Sequence, residues 1–152
     1  MNSYPRGSEW RKWDLHIHTP ESFHWNEGKR FPDMEAEEKE TKIKEILKKI
    51  NDSDVAVFTV VDYWTFEGYI ALREYIANAP GSLSEGKLIL PGIELRVEAP
   101  VDYRLNMQLM FDDALTTQCL RDFRQKLEIG SIRRSISDEA LIQFARSLGA
   151  DK

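Results

Sequence analysis

The sequence predicts an α/β fold built from parallel βαβ units, and three observations support this prediction. Apolar, β-branched runs alternate about four times with amphipathic stretches of helical period. The run at 55–61 (Val-Ala-Val-Phe-Thr-Val-Val) is almost continuously apolar, which is typical of a central parallel strand covered on both faces. Polar side chains follow each of the first three predicted strands. We therefore expect right-handed crossovers and a parallel sheet or barrel, in one domain that spans residues 1–152.

The first predicted strand is the stretch at 13–20, Trp-Asp-Leu-His-Ile-His-Thr-Pro. It should end at Thr-Pro because proline cannot continue a ladder. Successive side chains of a strand point to opposite faces, so Asp14, His16 and His18 share one face. Two imidazoles at this spacing can share one metal ion or hold two neighbouring ions, and with a carboxylate they suit Zn, Mn or Fe. We interpret the three residues as a metal-binding group; histidines that are simply satisfied polar residues are the alternative.

The loop at 21–33 carries three aromatic residues and several turn residues, which predicts a folded lid rather than a floppy connector. Its histidine, His24, is interpreted as a further ligand, an acid or base group, or an imidazole packed against Trp25. Lys29 and Arg30 are the best-placed cations to hold a phosphate beside the metal. Exposed surface charge is the alternative interpretation of these two residues.

The elements that follow are predicted from periodicity and turn signals. Helices are expected at 34–50, with an apolar stripe that ends at Ile50, at 66–79 with Thr65 as its N-cap, at 115–127 and at 138–148. Strands are expected at 55–61, 87–94 and 105–111, and residues 130–137 are expected to form a linker. The single cysteine, Cys119, excludes an internal disulfide and is interpreted as a small buried hydrophobe on a helix.

Composition narrows the classes of function. The formal net charge of −5 gives no global basic field to attract nucleic acid. Residues 1–11 lack the apolar core of a secretory signal, and no window approaches the ~20 apolar residues of a membrane span, so we expect a cytoplasmic protein. The sequence also lacks a phosphate-binding P-loop, a Rossmann glycine motif and a Gly-x-Ser-x-Gly elbow, so these three chemistries have no support.

The polar candidates all fall where parallel α/β folds gather their functional groups, at the carboxyl ends of strands. His16 and His18 belong to the first strand, Asp62 follows the second and Glu94 follows the third. Such a cluster would bind one or more divalent ions, lower the pKa of a bound water and clamp an anionic oxygen. The predicted reaction is therefore metal-assisted hydrolysis of a phosphate ester.

Three motifs resemble those of one known family. Asp-Leu-His-Ile-His-Thr at 14–19 resembles the first motif of the PHP (polymerase and histidinol phosphatase) family. The strand that ends at Asp62 falls where that family has its second motif, commonly Thr-Asp-His, and Leu-Pro-Gly-Ile-Glu at 90–94 resembles the third. The resemblance covers about the first hundred residues, with the motifs in the family's order. The opening segment at 7–20 is most similar to PHP modules at the front of large bacterial ATPases, some of which are thought to act in phage defence.

The resemblance implies a distorted (β/α)7 barrel that carries two or three metal ions and works as a phosphatase or nuclease. Two departures bear on this expectation. Tyr63 stands where the family usually has a histidine ligand, and no histidine follows His24. The chain also supplies only about four of the seven β/α units. We expect the N-terminal portion of a longer, ATPase-containing protein, with a degenerate module as the other explanation.

Three hypotheses follow from these observations. In the first, the chain is a metal-dependent phosphoesterase acting on a phosphate ester or nucleic acid through a metal-bound water. The residue roles would be as follows: His16, His18 and Glu94 as ligands, Asp14 as an orienting or bridging carboxylate, Asp62 as a ligand or base, His24 as an acid or base, and Lys29, Arg30 or Arg96 as phosphate-holding groups. In the second, a catalytically degenerate PHP module docks or regulates a partner ATPase, with the aromatic loop as a contact surface. In the third, a structural α/β domain binds no metal. We expect no membrane partner, and a homo-oligomer would be one way to cover an open barrel edge.

Overall fold

The structure is a computed structural model that describes residues 10–97, 99–103 and 105–149. The chain forms two compact units, which meet in sequence between Asp113 and Ala114. Among the described residues, no helix has both the length and the apolar character needed to cross a membrane. The predictions of one domain and of a cytoplasmic location stay predictions.

The first unit is a four-stranded sheet in the order β1-β2-β3-β4 with two α-helices. Its elements are β1 (Lys12–Ile17), α1 (Ala36–Asp52), β2 (Val55–Val60), α2 (Glu67–Asn78), β3 (Leu88–Val97) and β4 (Leu105–Met110). β1 pairs with β2 and β2 pairs with β3, both in parallel. The α/β class and the two βαβ units are therefore confirmed, and each predicted strand and helix of this unit is present within a few residues of its expected bounds.

The fourth strand departs from the prediction of a parallel sheet. β4 pairs with β3 in the antiparallel direction, with Glu94 opposite Gln108 and Arg96 opposite Asn106. Only residues 98–104 separate the two strands. A parallel return needs a crossover of a dozen or more residues, usually a helix, so a connection this short can only reverse the chain. The sheet of this unit is thus mixed, with two parallel pairs and one antiparallel pair.

α1 and α2 each contribute an apolar face to the core of the first unit. α1 buries the predicted stripe at Ile43, Leu47 and Ile50. α2 buries Tyr69, Ile70 and Leu72. Thr65 is one residue too early to be the N-cap, which is Phe66, but its hydroxyl accepts a hydrogen bond from the Glu67 N–H at 3.1 Å.

β3 continues as one strand through Pro91 and Gly92. Pro91 pairs with Val60, and its carbonyl accepts from the Phe111 N–H at 2.9 Å. Gly92 allows close packing, because a Cβ there would lie 2.6 Å from Val61 Cγ1. The strand therefore continues beyond Glu94, which lies within β3 rather than past its end.

The loop between β1 and α1 is folded, as predicted. The Ser22 N–H donates to the Thr19 carbonyl, and the Phe31 N–H donates to the Pro20 carbonyl, each at 3.0 Å. A short 3-10 helix, Phe31–Asp33, closes the loop, and the ring of Phe31 is buried. The loop is therefore anchored next to the end of β1.

The second unit contains α3 (Thr117–Lys126), β5 (Glu128–Ile129), β6 (Arg134–Ser135) and α4 (Asp138–Ser147). Thr116 and Ser137 cap the two helices through their side chains. Residues 130–137, predicted to be a linker, instead contribute the second strand of a small antiparallel hairpin. Cys119 was predicted to be buried, and this is wrong: it is an exposed free thiol near the start of α3, where the helix turns it outward.

Candidate metal centre

The carboxyl ends of β1 and β2 are joined to β3 by a backbone ladder that continues past the end of β2. The Val61 N–H donates to the Ile17 carbonyl at 2.9 Å. The Glu94 N–H donates to the Asp62 carbonyl, and the Trp64 N–H donates to the Glu94 carbonyl, each at 3.1 Å. These bonds fix the three segments that carry the predicted site residues in one register.

Two histidines and a glutamate meet at this edge of the sheet. His16 Nε2 lies 3.2 Å from His18 Nε2 and 3.2 Å from Glu94 Oε2. His18 Nε2 lies 3.5 Å from the same glutamate oxygen. Among the described residues this is the one group of three or more His, Cys, Asp or Glu side chains that could hold a metal ion. We call these three residues the His-His-Glu triad.

The spacing of the triad suits a metal ion. Around a tetrahedral Zn²⁺ with ligands at about 2.0–2.1 Å, two ligand atoms lie about 3.3–3.4 Å apart. The three observed separations, 3.2, 3.2 and 3.5 Å, bracket this value. Two histidines and one glutamate, with a further position open, are also a ligand set of catalytic zinc sites. The triad can therefore hold a divalent ion while leaving room for a water or a substrate oxygen.

The triad is closed on one side and open on the other. The Glu94 side chain is 2% exposed, His18 is 28% exposed and His16 is 54% exposed. A carboxylate buried this deeply requires charged or hydrogen-bonding partners. Solvent therefore reaches the triad from the side of His16.

His18 is oriented by groups on its other nitrogen. Its Nδ1 lies 3.4 Å from Ser22 Oγ and 3.8 Å from Asp62 Oδ1. A metal-ligating histidine commonly presents its second ring nitrogen to a carboxylate or other acceptor in this way, which fixes the tautomer. We therefore assign the proton to Nδ1, which leaves the Nε2 lone pair facing the triad.

Asp62 lies behind the triad rather than within it. Its side chain is fully buried, and it accepts 2.7 Å hydrogen bonds from both the backbone N–H and the hydroxyl of Thr19. Burial raises the pKa of Asp62 above its ordinary value, while the nearby His18 ring and the hydrogen bonds from Thr19 oppose that rise. The geometry thus gives this carboxylate a role in orienting His18 and the Thr19 turn.

Tyr63 forms one wall of the site. Its ring stacks on His18 with centroids 5.3 Å apart and planes 8° from parallel. The Arg96 guanidinium lies 5.7 Å above the tyrosine ring, and His24 meets that ring edge-on at 5.1 Å. The next residue, Trp64, has a positive φ of 59°, a strained conformation for a bulky residue. The sharp turn at Trp64 lets the chain leave β2 while Tyr63 stays over the triad.

The remaining predicted site residues are dispersed. Arg96 Nη2 donates to His24 Nε2 at 3.0 Å, so these two form a pair beside Tyr63. The His24 ring also packs edge-on against Phe23, with centroids 4.8 Å apart. Lys29 forms a 2.8 Å ion pair with Glu38, and Arg30 donates to the Glu21 carbonyl at 2.9 Å. Asp14 accepts from the His16 backbone N–H at 3.2 Å and is not one of the triad.

Several residues of the site were missed by sequence reasoning. Asn106, on β4, donates to Glu94 Oε1 at 2.6 Å and to the Tyr63 hydroxyl at 3.3 Å. Thr19 and Ser22 contact Asp62 and His18, respectively. Thr19 had a signal, since a hydroxyl directly after the strand end can reach a neighbouring strand. Asn106 had none until the antiparallel direction of β4 was known.

The free energy of unfolding should depend on pH through the side chain of Glu21. Burial raises its pKa from 4.5 to about 7, and the nearby charge of Lys39 opposes that rise. Between these two pH values the folded state holds a proton that the unfolded state has lost, so the free energy of unfolding should fall as pH rises from 5 to 7. We expect a fall of about 1 kcal/mol after solvent screening. Chemical denaturation at several pH values should show this slope in wild type and its loss in Glu21→Gln. The same change at the exposed Glu27 should leave the slope intact.

No protein-family model matches this chain, and no curated protein matches it.

Proposed function

We propose that this chain is a metal-dependent phosphoesterase of the PHP type, with its metal centre at the His-His-Glu triad. The observation that carries the proposal is the meeting of three ligand atoms 3.2–3.5 Å apart where the carboxyl end of β1 lies near Glu94 of β3. The motifs at 14–19 and 90–94, which resemble those of the PHP family, supply exactly these three residues.

Each residue has a role that follows from its surroundings. His16, His18 and Glu94 would hold a divalent ion, with Zn, Mn or Fe as the candidates. Such an ion supplies Lewis acidity toward a phosphoryl oxygen and a water nucleophile that ionises near neutral pH. Asp62 keeps His18 in the ligating tautomer from behind. The deep burial of Glu94 keeps water away from one side of the centre.

Arg96 is the strongest candidate to hold a substrate phosphate. It lies two residues after Glu94 on β3, is exposed, and contacts the Tyr63 ring that borders the triad. Guanidinium groups bind phosphate oxygens in a bidentate manner. His24 touches Arg96 and would act on a substrate held there. Lys29 and Arg30 are engaged with other groups of the chain, so we place them second.

The wider context belongs to the same proposal. The four-stranded mixed sheet would be part of a PHP barrel, and the chain would act within an ATPase-containing protein of the cytoplasm, in a setting such as phage defence. This context rests on the resemblance of short motifs, and on the parallel strands β1 to β3 that present them.

The proposal is tested first by metal content. Protein purified without a metal-affinity tag should carry Zn, Mn or Fe close to one equivalent, measured by plasma mass spectrometry, and His16→Ala/His18→Ala should carry none. His24→Ala is the matched control, because this histidine lies outside the triad, and it should retain the metal. Loaded wild type should then hydrolyse p-nitrophenyl phosphate or bis(p-nitrophenyl) phosphate, and the double variant should not. Wild type without metal, or equal hydrolysis by both proteins, would overturn the proposal.

A second candidate function is a docking or regulatory module for a partner ATPase. It is favoured by Tyr63, which replaces a histidine ligand of the resembled family, and by the Phe23 ring of the aromatic loop, which is 55% exposed beside the site. This function predicts that a chelator leaves partner binding unchanged. Loss of binding in chelator would count against it.

A further inference from the structure

The antiparallel strand β4 brings an amide, that of Asn106, into contact with the triad. Asn106 lies opposite Arg96 in the β3–β4 register, which places its side chain on the same face of the sheet as Glu94. Its Nδ2 donates to Glu94 Oε1 at 2.6 Å and to the Tyr63 hydroxyl at 3.3 Å. One amide group thus contacts both a ligand and the residue that stacks on a second ligand.

Because of this contact, the two oxygens of Glu94 have different partners. Oε1 receives the hydrogen bond from Asn106, while Oε2 faces His16 and His18 at 3.2 and 3.5 Å. The terminal torsion of a glutamate is broad and roughly two-fold, so the strand alone does not select the oxygen that points at the metal. A donor fixed on the neighbouring strand does select it, and it favours binding of the metal through Oε2 alone.

The same amide reaches the histidine side of the triad through Tyr63. The hydroxyl of Tyr63 accepts from Asn106, and its ring lies parallel to His18. The backbone bridge between Tyr63 and Glu94 sets the distance between these two residues. The ring plane of His18 and the carboxylate of Glu94 are therefore held by one connected group of side chains.

We propose that Asn106 is a positioning residue of the metal centre, which fixes Glu94 as a single-oxygen ligand and, through Tyr63, holds the plane of His18. Tyr63 serves in this arrangement as a platform rather than as a ligand. The inference rests on the proposed function, because it assigns the outer contacts of the same triad. Outer partners of this kind typically change metal affinity by about 10- to 100-fold when they are removed.

Metal affinity and the Co²⁺ absorption spectrum test this inference without reference to activity. Asn106→Leu and Asn106→Ala should each bind Co²⁺ about 10- to 100-fold more weakly than wild type, with an altered visible spectrum. The metal-free Asn106 variants should melt at a lower temperature than wild type, because the buried Oε1 of Glu94 loses its amide donor. Co²⁺ is therefore titrated well below that temperature, where every variant is folded. Gln108→Leu is the matched control: it makes the same chemical change on the same strand, directly opposite Glu94. It should bind Co²⁺ as wild type does.

A double-variant cycle shows whether Asn106 acts through Glu94. If it does, Asn106→Leu added to Glu94→Ala should cause a much smaller further loss of affinity than Asn106→Leu causes in wild type, because the carboxylate that the amide orients is gone. Independent, additive losses would overturn the inference, as would equal Co²⁺ affinities for Asn106→Leu and Gln108→Leu. In those cases wild type still binds Co²⁺ and the proposed function stands. A wild type that binds no Co²⁺ would overturn both.

Discussion

Gly68→Ala should destabilise the first unit by about 3 kcal/mol or more, although alanine is the better helix former by about 1 kcal/mol. Gly68 lies in the first turn of α2, and a Cβ there would clash with Asp62 Oδ2 and with Thr19 Oγ1, and would lie 3.1 Å from Thr19 Cβ. These atoms belong to a buried, hydrogen-bonded pair, so they cannot move without losing their bonds. Urea denaturation should show the loss of unfolding free energy, and the loaded protein should lose metal with it.

The control for this substitution is Gly130→Ala, where no atom lies within 4 Å of the added methyl group. It should change the free energy of unfolding by less than about 0.5 kcal/mol. Near-wild-type stability of Gly68→Ala would contradict the prediction, because it would mean that α2 can move away from Asp62 at little cost.

Local pattern was sufficient to predict most elements of the first unit. The apolar stripe predicts α1, and the continuous apolar run predicts β2. Both elements are found within a few residues of the predicted bounds. The gathering of His16, His18 and Glu94 followed from a general rule, that parallel strands bring their carboxyl ends to one edge. These features could be predicted because they depend on the pattern of neighbouring residues in the sequence.

The parts that were missed depend on pairing between distant residues. The direction of β4 follows from the short connection at 98–104, a signal that was present in the sequence and outweighed by the alternation of strands and helices. Asn106 becomes part of the site only through that direction. The hairpin in the second unit has strands of two residues, too short for any periodicity to appear. Asp14 and His16 lie in β1 and His18 directly follows it, yet irregular pairing between Asp14 and Ile17 breaks the simple alternation.

Asp62→Asn should weaken metal binding while leaving the stability of the fold nearly unchanged. The amide has nearly the same shape as the carboxylate, and its oxygen can accept the Thr19 N–H. The Thr19 hydroxyl can turn to accept from the new NH2 group, since a hydroxyl both donates and accepts. Because burial already disfavours the charged form of Asp62, as its raised pKa indicates, losing the charge should cost little stability, about 1 kcal/mol or less. The negative charge near His18 Nδ1 is lost, however, so metal affinity should fall about 10- to 100-fold.

Asp62→Leu, in contrast to Asp62→Asn, should strongly reduce the free energy of unfolding. Leucine leaves both Thr19 donors buried without an acceptor, at about 1–3 kcal/mol each, so this variant should lose about 2–6 kcal/mol of unfolding free energy. Asp14→Asn should change neither stability nor metal affinity strongly, because Asp14 contacts the His16 backbone rather than the triad. Calorimetric metal titration and urea denaturation of the three variants measure both quantities. If Asp62→Asn binds metal as tightly as wild type, the carboxylate supports only the Thr19 turn, and the orientation of His18 must come from Ser22 and Tyr63.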